Sequence, residues 1–122
     1  MKSLIATVVL LSTVLLLTVL NFHYVNSTVE ELQEMLETLP DVNAPHCVER
    51  AKEIEEYWER KQTVIDLTVS YPFIDRIGEQ AALLVACASA KDLYGFESAR
   101  TLLYDATKDL RRAEQFSVKN LF

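Results

Sequence analysis

The side chains that could do nucleophilic or metal chemistry in this chain are two cysteines and two histidines. Cys47 and Cys87 lie far apart in the sequence, and neither His23 nor His46 belongs to a His-x-x-x-His or Cys-x-x-Cys pair. A cysteine nucleophile needs a lowered pKa beside a basic residue, and the sequence provides only Arg50 near Cys47. These residues therefore predict no hydrolase or redox site.

Three glutamates on neighbouring turns of one predicted helix are the strongest candidates for acid–base work. Glu49, Glu53 and Glu56 could pair as general acid and general base if they lined a pocket. No surrounding pattern of residues indicates such a pocket. His46 and Cys47, with Glu49 and Glu53, could hold a metal only weakly, because adjacent helical residues point about 100° apart. We expect a solvated helix start there, with no metal, no cofactor and no enzyme activity.

Five aromatic side chains near predicted helix ends are the candidate surface for a ligand or a protein partner. They could line an exposed groove, or they could close the ends of a helical core. Trp58, in contrast, lies in the middle of the longest apolar stripe, which predicts a buried core residue. The candidate surface consists of Tyr71, Phe73, Tyr94, Phe96 and Tyr104.

All these residues must be positioned by helices, and the first helix is apolar enough to cross a membrane. No charged residue occurs between Lys2 and Glu30, and the run from Leu4 to Leu20 is the most apolar part of the chain. As a helix the run spans about 25 Å, and extending it to Val25 gives about 33 Å. A bilayer core is roughly 30 Å thick, so the sequence predicts a single N-terminal span.

Charge and aromatic placement predict the orientation of this span. Lys2 precedes it and Glu30 is the first charge after it, so the N-terminus should stay in the cytoplasm and the rest should lie outside. The Phe-His-Tyr rings of residues 22–24 would reach the headgroups, which suits a retained single-pass anchor in the cell membrane. The alternative is a signal peptide cleaved near Ser27, giving a secreted protein. The long run and the lack of an Ala-x-Ala site favour retention.

Beyond the span, apolar residues recur at alternating intervals of three and four. Such stripes are typical of helices with one buried face. Short interruptions at 40–45, 71–72 and 94–95 place neighbouring helices antiparallel. We predict an all-α fold, with an N-terminal transmembrane helix followed by a small antiparallel three- to four-helix up-and-down bundle. The stripes are Val29, Leu32, Met35, Leu36, Leu39; Cys47, Ala51, Ile54, Trp58, Lys61, Ile65, Thr68; Ile74, Ile77, Ala81, Leu84, Ala88, Lys91; and Phe96, Ala99, Leu103, Ala106, Leu110, Ala113.

The chain is long enough for the span and one small domain. We predict an anchor at residues 1–26 and an extracytoplasmic acidic helical bundle at residues 27–122. The segment Ser27-Thr28-Val29-Glu30 matches a capping box, at which a helix restarts or continues. Because no Gly or Pro occurs in residues 21–28, we expect one long helix with a soft joint.

The exported part is acidic, which narrows the class of its partners. The whole chain has a net charge of −6, and without Lys2 eleven basic and eighteen acidic residues leave −7. This charge argues against nucleic acid and against anionic lipid headgroups as partners. We expect contact with the membrane through the single span, and with another membrane or envelope protein or a second copy of the chain.

The two cysteines face an oxidising compartment in this topology, where a disulfide is the first expectation. If the helices flanking Pro72 form a hairpin, Cys47 lies opposite a residue near 95 and Cys87 opposite one near 56. That register separates them by ~13 Å along the axis, whereas a disulfide needs Cα atoms within about 7 Å. The spacing favours two free, mostly buried thiols that act as small apolar residues.

Three segments carry a resemblance to a known family. They are Met1-Lys2-Ser3-Leu4-Ile5, the stretch AKEIEEYWERK at 51–61 with its central Trp58, and FSVKNLF at 116–122. Together the segments resemble an uncharacterised family of small bacterial membrane-anchored proteins, known as domain of unknown function family 4363, over nearly the whole chain. Members tend to have an acidic or histidine-bearing segment after the Trp helix, where this chain has Ser70-Tyr71-Pro72-Phe73. The resemblance implies a bacterial origin and supplies no activity, substrate or catalytic residue.

The sequence as a whole predicts a membrane-anchored interaction or accessory subunit at the bacterial cell envelope. The alternative is a bundle that binds or senses a small apolar ligand, in a cavity bounded by the aromatic cluster and the Ala-rich helices. An enclosed apolar cavity of roughly a few hundred Å³ would favour the ligand binder. A closed core packed with alanine would favour the scaffold.

Overall fold

The chain folds into four helices. The computed structural model describes residues 1–68 and 72–121, and within these ranges it contains no strand. The helices are α1 (Lys2–Glu37), α2 (Cys47–Thr68), α3 (Pro72–Ala90) and α4 (Leu93–Leu121). The predicted all-α class is confirmed.

The first helix is continuous from the apolar N-terminal run into the bundle. It covers 36 residues without a break, so the expected single long helix is present. The capping-box segment does not start a helix, because Ser27 lies well inside α1. The Thr28 hydroxyl donates instead to the Tyr24 carbonyl oxygen one turn earlier, at 2.9 Å. The proposed division between residues 26 and 27 therefore falls within a helix.

The helices pack as an up-and-down bundle in which each contacts two neighbours. α1 packs on α2 and α4, and α3 packs on the same two helices. Gln33 of α1 contacts Thr107 of α4. Further along α1, Glu37 contacts Tyr104, which precedes Thr107 in α4. These two contacts show that α1 and α4 are antiparallel, as the short connections predicted.

Most residues of the predicted stripes form the core, whereas Met35, Lys61 and Ala113 are half-buried and Lys91 is exposed. Trp58 is 1% exposed at the centre of the α2 stripe, as predicted. The fully buried residues of α1 begin at Val25, and Tyr24 before it is half-buried against the core. Alanines in α3 and α4 keep the helix axes close. The buried apolar residues are Val25, Val29, Leu32, Leu36, Leu39, Val42, Cys47, Ala51, Ile54, Trp58, Ile65, Ile74, Ile77, Ala81, Leu84, Cys87, Ala88, Phe96, Ala99, Leu103, Ala106 and Leu110.

Two connections close the end of the bundle that lies far from the apolar N-terminal part of α1, and we call this the distal end. Lys91 adopts a left-handed φ of 56° that ends α3, and the Asp92 N–H donates to the Cys87 carbonyl oxygen at 2.9 Å. The Asp92 carboxylate then accepts the Gly95 N–H at 3.1 Å and caps α4. A Cβ on Gly95 would lie 2.7 Å from the Cys87 Sγ, so this turn requires glycine. Lys91 Nζ also donates to the Val42 carbonyl oxygen at 3.2 Å, which ties the two connections together.

Candidate functional site

The predicted aromatic surface is not assembled by the residues that the structure describes. Phe96 is fully buried in the core, because it belongs to the α4 stripe, so its assignment to an exposed surface is wrong. Tyr94 is 88% exposed at the start of α4, and Tyr104 lies about 15 Å further along the helix axis. Tyr71 and the side chain of Phe73 lie outside the described residues. Among the predicted residues that the structure describes, Tyr104 alone lines a groove.

The groove at Tyr104 lies between α1 and α4. Its volume is about 290 Å³, and it is open to solvent rather than enclosed. Five of its six lining residues carry a polar or charged group, but their carbon atoms contribute more of the groove surface than their polar atoms do. The lining residues of this Tyr104 groove are Leu36, Glu37, Arg100, Thr101, Tyr104 and Asp105.

Tyr104 is held in place by charged neighbours. Its hydroxyl donates to Glu37 Oε1 at 3.2 Å, and Lys108 Nζ lies 5.1 Å from the ring centroid, within the range of a cation–π contact. The hydrogen bond to Glu37, with some desolvation, raises the pKa of the phenol. Tyr104 is consequently a neutral hydrogen-bond donor near neutral pH, already paired with a carboxylate.

A row of polar pairs continues from this groove along the whole α1–α4 contact, and we call it the α1–α4 seam. Gln33 Nε2 donates to the Thr107 hydroxyl at 3.2 Å, and that hydroxyl donates to the Tyr104 carbonyl oxygen at 2.6 Å. Nearer the apolar N-terminal part of α1, Arg111 Nη2 lies 3.6 Å from Glu30 Oε1. These pairs follow one another in antiparallel order along the two helices.

The last pair of the seam buries a carboxyl group. Glu114 is 5% exposed, and its Oε1 accepts a long hydrogen bond from Asn21 Nδ2 at 3.5 Å. Burial raises the pKa of Glu114, and the Asn21 hydrogen bond opposes that rise only in part. Sequence analysis did not identify this seam. A signal was present in the seven-residue spacing of Arg100, Thr107 and Glu114 beside the α4 stripe.

The residues considered for nucleophilic or metal chemistry are not brought together. Cys47 and Cys87 are both free and buried, as the hairpin register predicted, and burial raises the pKa of each thiol. A raised pKa is the opposite of what a thiolate nucleophile requires. His46 is exposed, and its Nδ1 lies 3.4 Å from Glu49 Oε2. Across residues 1–68 and 72–121 no three His, Cys, Asp or Glu side chains are grouped as metal ligands.

Comparison with known proteins gives no relative whose site can be set beside the seam or the Tyr104 groove. No family model, no curated protein and no solved structure matches this chain.

Proposed function

We propose that the chain is a single-pass membrane protein whose helical bundle stands outside the cytoplasm and serves as an interaction or accessory subunit at the bacterial cell envelope. One observation carries this proposal. α1 is a single helix whose apolar N-terminal part is long enough to cross a membrane and packs against almost nothing, while its second half forms part of the bundle core.

The exposed apolar surface of α1 supports the membrane assignment. Leu10 is 66% exposed, and Leu4, Leu16 and Leu17 are exposed to a similar degree. A continuous apolar surface of this length is unfavourable in water, and a bilayer core of roughly 30 Å would cover it. The threonine hydroxyls of this part need no water in such a core, because each donates a hydrogen bond of 2.8 Å to a carbonyl oxygen one turn earlier. These residues are Thr7, Thr13 and Thr18.

The continuity of α1 favours a retained anchor over a cleaved signal peptide. Cleavage near Ser27 would cut an unbroken helix within the bundle and remove Val25, which is fully buried. It would also remove Tyr24, whose ring lies 5.2 Å from Lys61 Nζ of α2. The orientation follows from Lys2 on the short side of the span and from the preference of basic flanks for the cytoplasm.

The packing of the bundle favours an accessory role over the binding of an apolar ligand. The core between α3 and α4 is packed with small side chains. Four alanines of the two stripes are buried there: Ala81, Ala88, Ala99 and Ala106. The Tyr104 groove is open to solvent, unlike the enclosed apolar cavities that hold small molecules. The resemblance to the bacterial family of unknown function adds the proposed setting at a cell envelope and no activity.

One experiment can test topology and role together. Thr101→Cys, in the Tyr104 groove, is expressed in bacterial cells, which are treated with a membrane-impermeant crosslinker that joins a thiol to a nearby amine. We expect modification in intact cells and a crosslinked product of higher mass. The unsubstituted chain is the matched control, because its own Cys47 and Cys87 are buried.

Each contrary outcome has a distinct meaning. Modification only after lysis would reverse the orientation, and recovery of the chain from the culture medium would favour the cleaved, secreted form. If thiols placed on every face of the bundle are modified from outside but give no crosslinked product, the accessory role is wrong.

A further inference from the structure

The end of the bundle next to the anchor overlaps the apolar part of α1. Lys61 of α2 lies beside Tyr24, and Glu114 of α4 lies beside Asn21. Both helices run antiparallel to α1, and each continues for seven residues beyond its contact. At 1.5 Å per residue this is about 10 Å. We call this end the base; it comprises residues 61–68, 72–76 and 109–121.

The burial pattern of α1 shows the same overlap. Leu15 and Thr18 are half-buried, whereas the other residues from 1 to 20 are exposed. Both lie in the uncharged run from Leu4 to Leu20, which is the predicted span. The base of the bundle is therefore level with the last turns of the span, with no linker to hold it away from a membrane.

The base exposes apolar side chains on two helices. Leu67 of α2 is 81% exposed and Phe116 of α4 is 66% exposed. Apart from Tyr94 at the distal end, these are the most exposed large apolar side chains outside the anchor among the residues that the structure describes. Two such side chains at the end of the domain that meets the apolar part of α1 add apolar surface there.

The charge of the base differs from that of the rest of the bundle. Among its side chains five are basic and four are acidic, and one of the acids, Glu114, is buried. The other exported residues, 27–60 and 77–108, have six basic and fourteen acidic side chains. The net acidity that argued against lipid headgroups thus lies toward the distal end. Basic side chains beside an apolar surface favour a lipid interface.

We infer that the base of the bundle is seated in the interfacial region of the same bilayer that α1 spans. Leu67 and Phe116 enter the boundary between headgroups and acyl chains, and Lys119 in the last turn of α4 extends its ammonium group to the headgroup phosphates. This inference rests on the proposed membrane anchor. It goes further in assigning a lipid-contacting surface to the folded domain.

Seating the base in the bilayer fixes how far the candidate site stands from the membrane. Tyr104 is level with Glu37, and Glu37 follows Asn21 by about 24 Å along α1. The Tyr104 groove then faces other envelope proteins at about that distance from the membrane. The domain that carries it is not free to rotate about a linker.

The test uses the full chain reconstituted in vesicles of mixed neutral and anionic phospholipid. Single cysteines are introduced by Leu67→Cys and Phe116→Cys and labelled with an environment-sensitive fluorophore. Lipids bearing a nitroxide near the headgroup then serve as the quencher. Leu11→Cys in the span and Tyr94→Cys at the distal end are the matched controls, and the unsubstituted chain measures background labelling of the buried thiols.

We expect nitroxide lipid to remove most of the fluorescence at positions 67 and 116 and none at position 94, with position 11 quenched by a nitroxide placed deeper in the acyl chain. Quenching at 11 without quenching at 67 and 116 would overturn the inference and leave the anchor intact. Loss of quenching at 11 as well would mean that the anchor itself is wrong. A blue-shifted label at 67 and 116 that lipid does not quench would indicate a second copy or another protein on this surface, which also overturns the inference.

Discussion

Trp58 is the residue on which the packing of α2 depends most. Its side chain is 1% exposed, and it lies close enough to Gly78 of α3 that a Cβ there would be 3.6 Å from the indole Nε1. Within the described part of the chain this Nε1 has no hydrogen-bond partner. The indole therefore contributes through its apolar area rather than through a polar contact.

Trp58→Ala should destabilise the bundle strongly. Truncating a buried Trp costs about 3–5 kcal/mol, out of the roughly 5–15 kcal/mol that stabilises a typical domain. We expect a large fall in the denaturation midpoint of the full chain in detergent, and a smaller one for Trp58→Phe, which keeps most of the apolar area. Exposed Glu56 on the same helix provides the control, since Glu56→Ala should leave the midpoint nearly unchanged. A Trp58→Ala chain that melts like its parent would contradict the core assignment.

Glu114 should make the stability of the bundle depend on pH. Burial raises its pKa above the ordinary value of 4.5, so the folded chain keeps this proton to a higher pH than the unfolded chain does. Its contribution is therefore most favourable below pH 4.5, and stability is lost as the pH rises from there through the folded-state pKa. Glu114→Gln removes this loss, so the variant should be more stable than the parent at neutral pH and equal to it below pH 4.

The pH dependence can be measured by denaturant titration of both chains across this range. Glu79→Gln, at an exposed position of α3, is the matched control and should show no such difference. A Glu114→Gln variant that is less stable than the parent at neutral pH would mean that the ionised carboxylate, with its Asn21 contact, stabilises the seam.

At the scale of the helices, the sequence predicts well which residues lie on the buried face of each helix. It predicts poorly which helices pack against each other. The heptad spacing of Ala51, Ile54 and Trp58 gives the buried face of α2 without any tertiary information, because the period of a helix alone determines which residues share a side. The same rule places Phe96 in the α4 stripe. Its assignment to a surface ignored that spacing in favour of its position near a helix end.

The α1–α4 seam illustrates the part that spacing alone does not predict. Thr107 and Glu114 are polar residues at the edge of an apolar stripe, which is visible in the sequence. Their partners Gln33 and Asn21 are distant in sequence, and they become partners only once α4 packs back against α1. That choice of neighbour depends on how four helices close into one bundle, so the seam and the groove at its distal end were not predictable.

For the whole molecule, the main consequence of the fold is that one unbroken helix, α1, combines an exposed apolar half with a half that packs in the bundle. Its N-terminal part suits a lipid core, and the same unbroken helix supplies buried residues to the bundle from Val25 onward. A division between anchor and bundle at residues 26 and 27 therefore does not coincide with the edge of the packed core. The packed fold extends along α1 toward its N-terminus at least to Asn21, through the contact of Asn21 with Glu114.

This overlap predicts that a fragment beginning at Asn21 will be more stable than one beginning at Ser27. A fragment beginning at Asn21 retains Val25, whose full burial contributes about 1.5–3 kcal/mol, together with the contacts of Asn21 and Tyr24. A fragment beginning at Ser27 lacks all three. We expect the longer fragment to unfold at a clearly higher urea concentration, and Val25→Ala to remove much of its advantage while His23→Ala, at an exposed position, does not. Equal midpoints for the two fragments would mean that the bundle is complete from Ser27, and that the last turns of the anchor add nothing to its core.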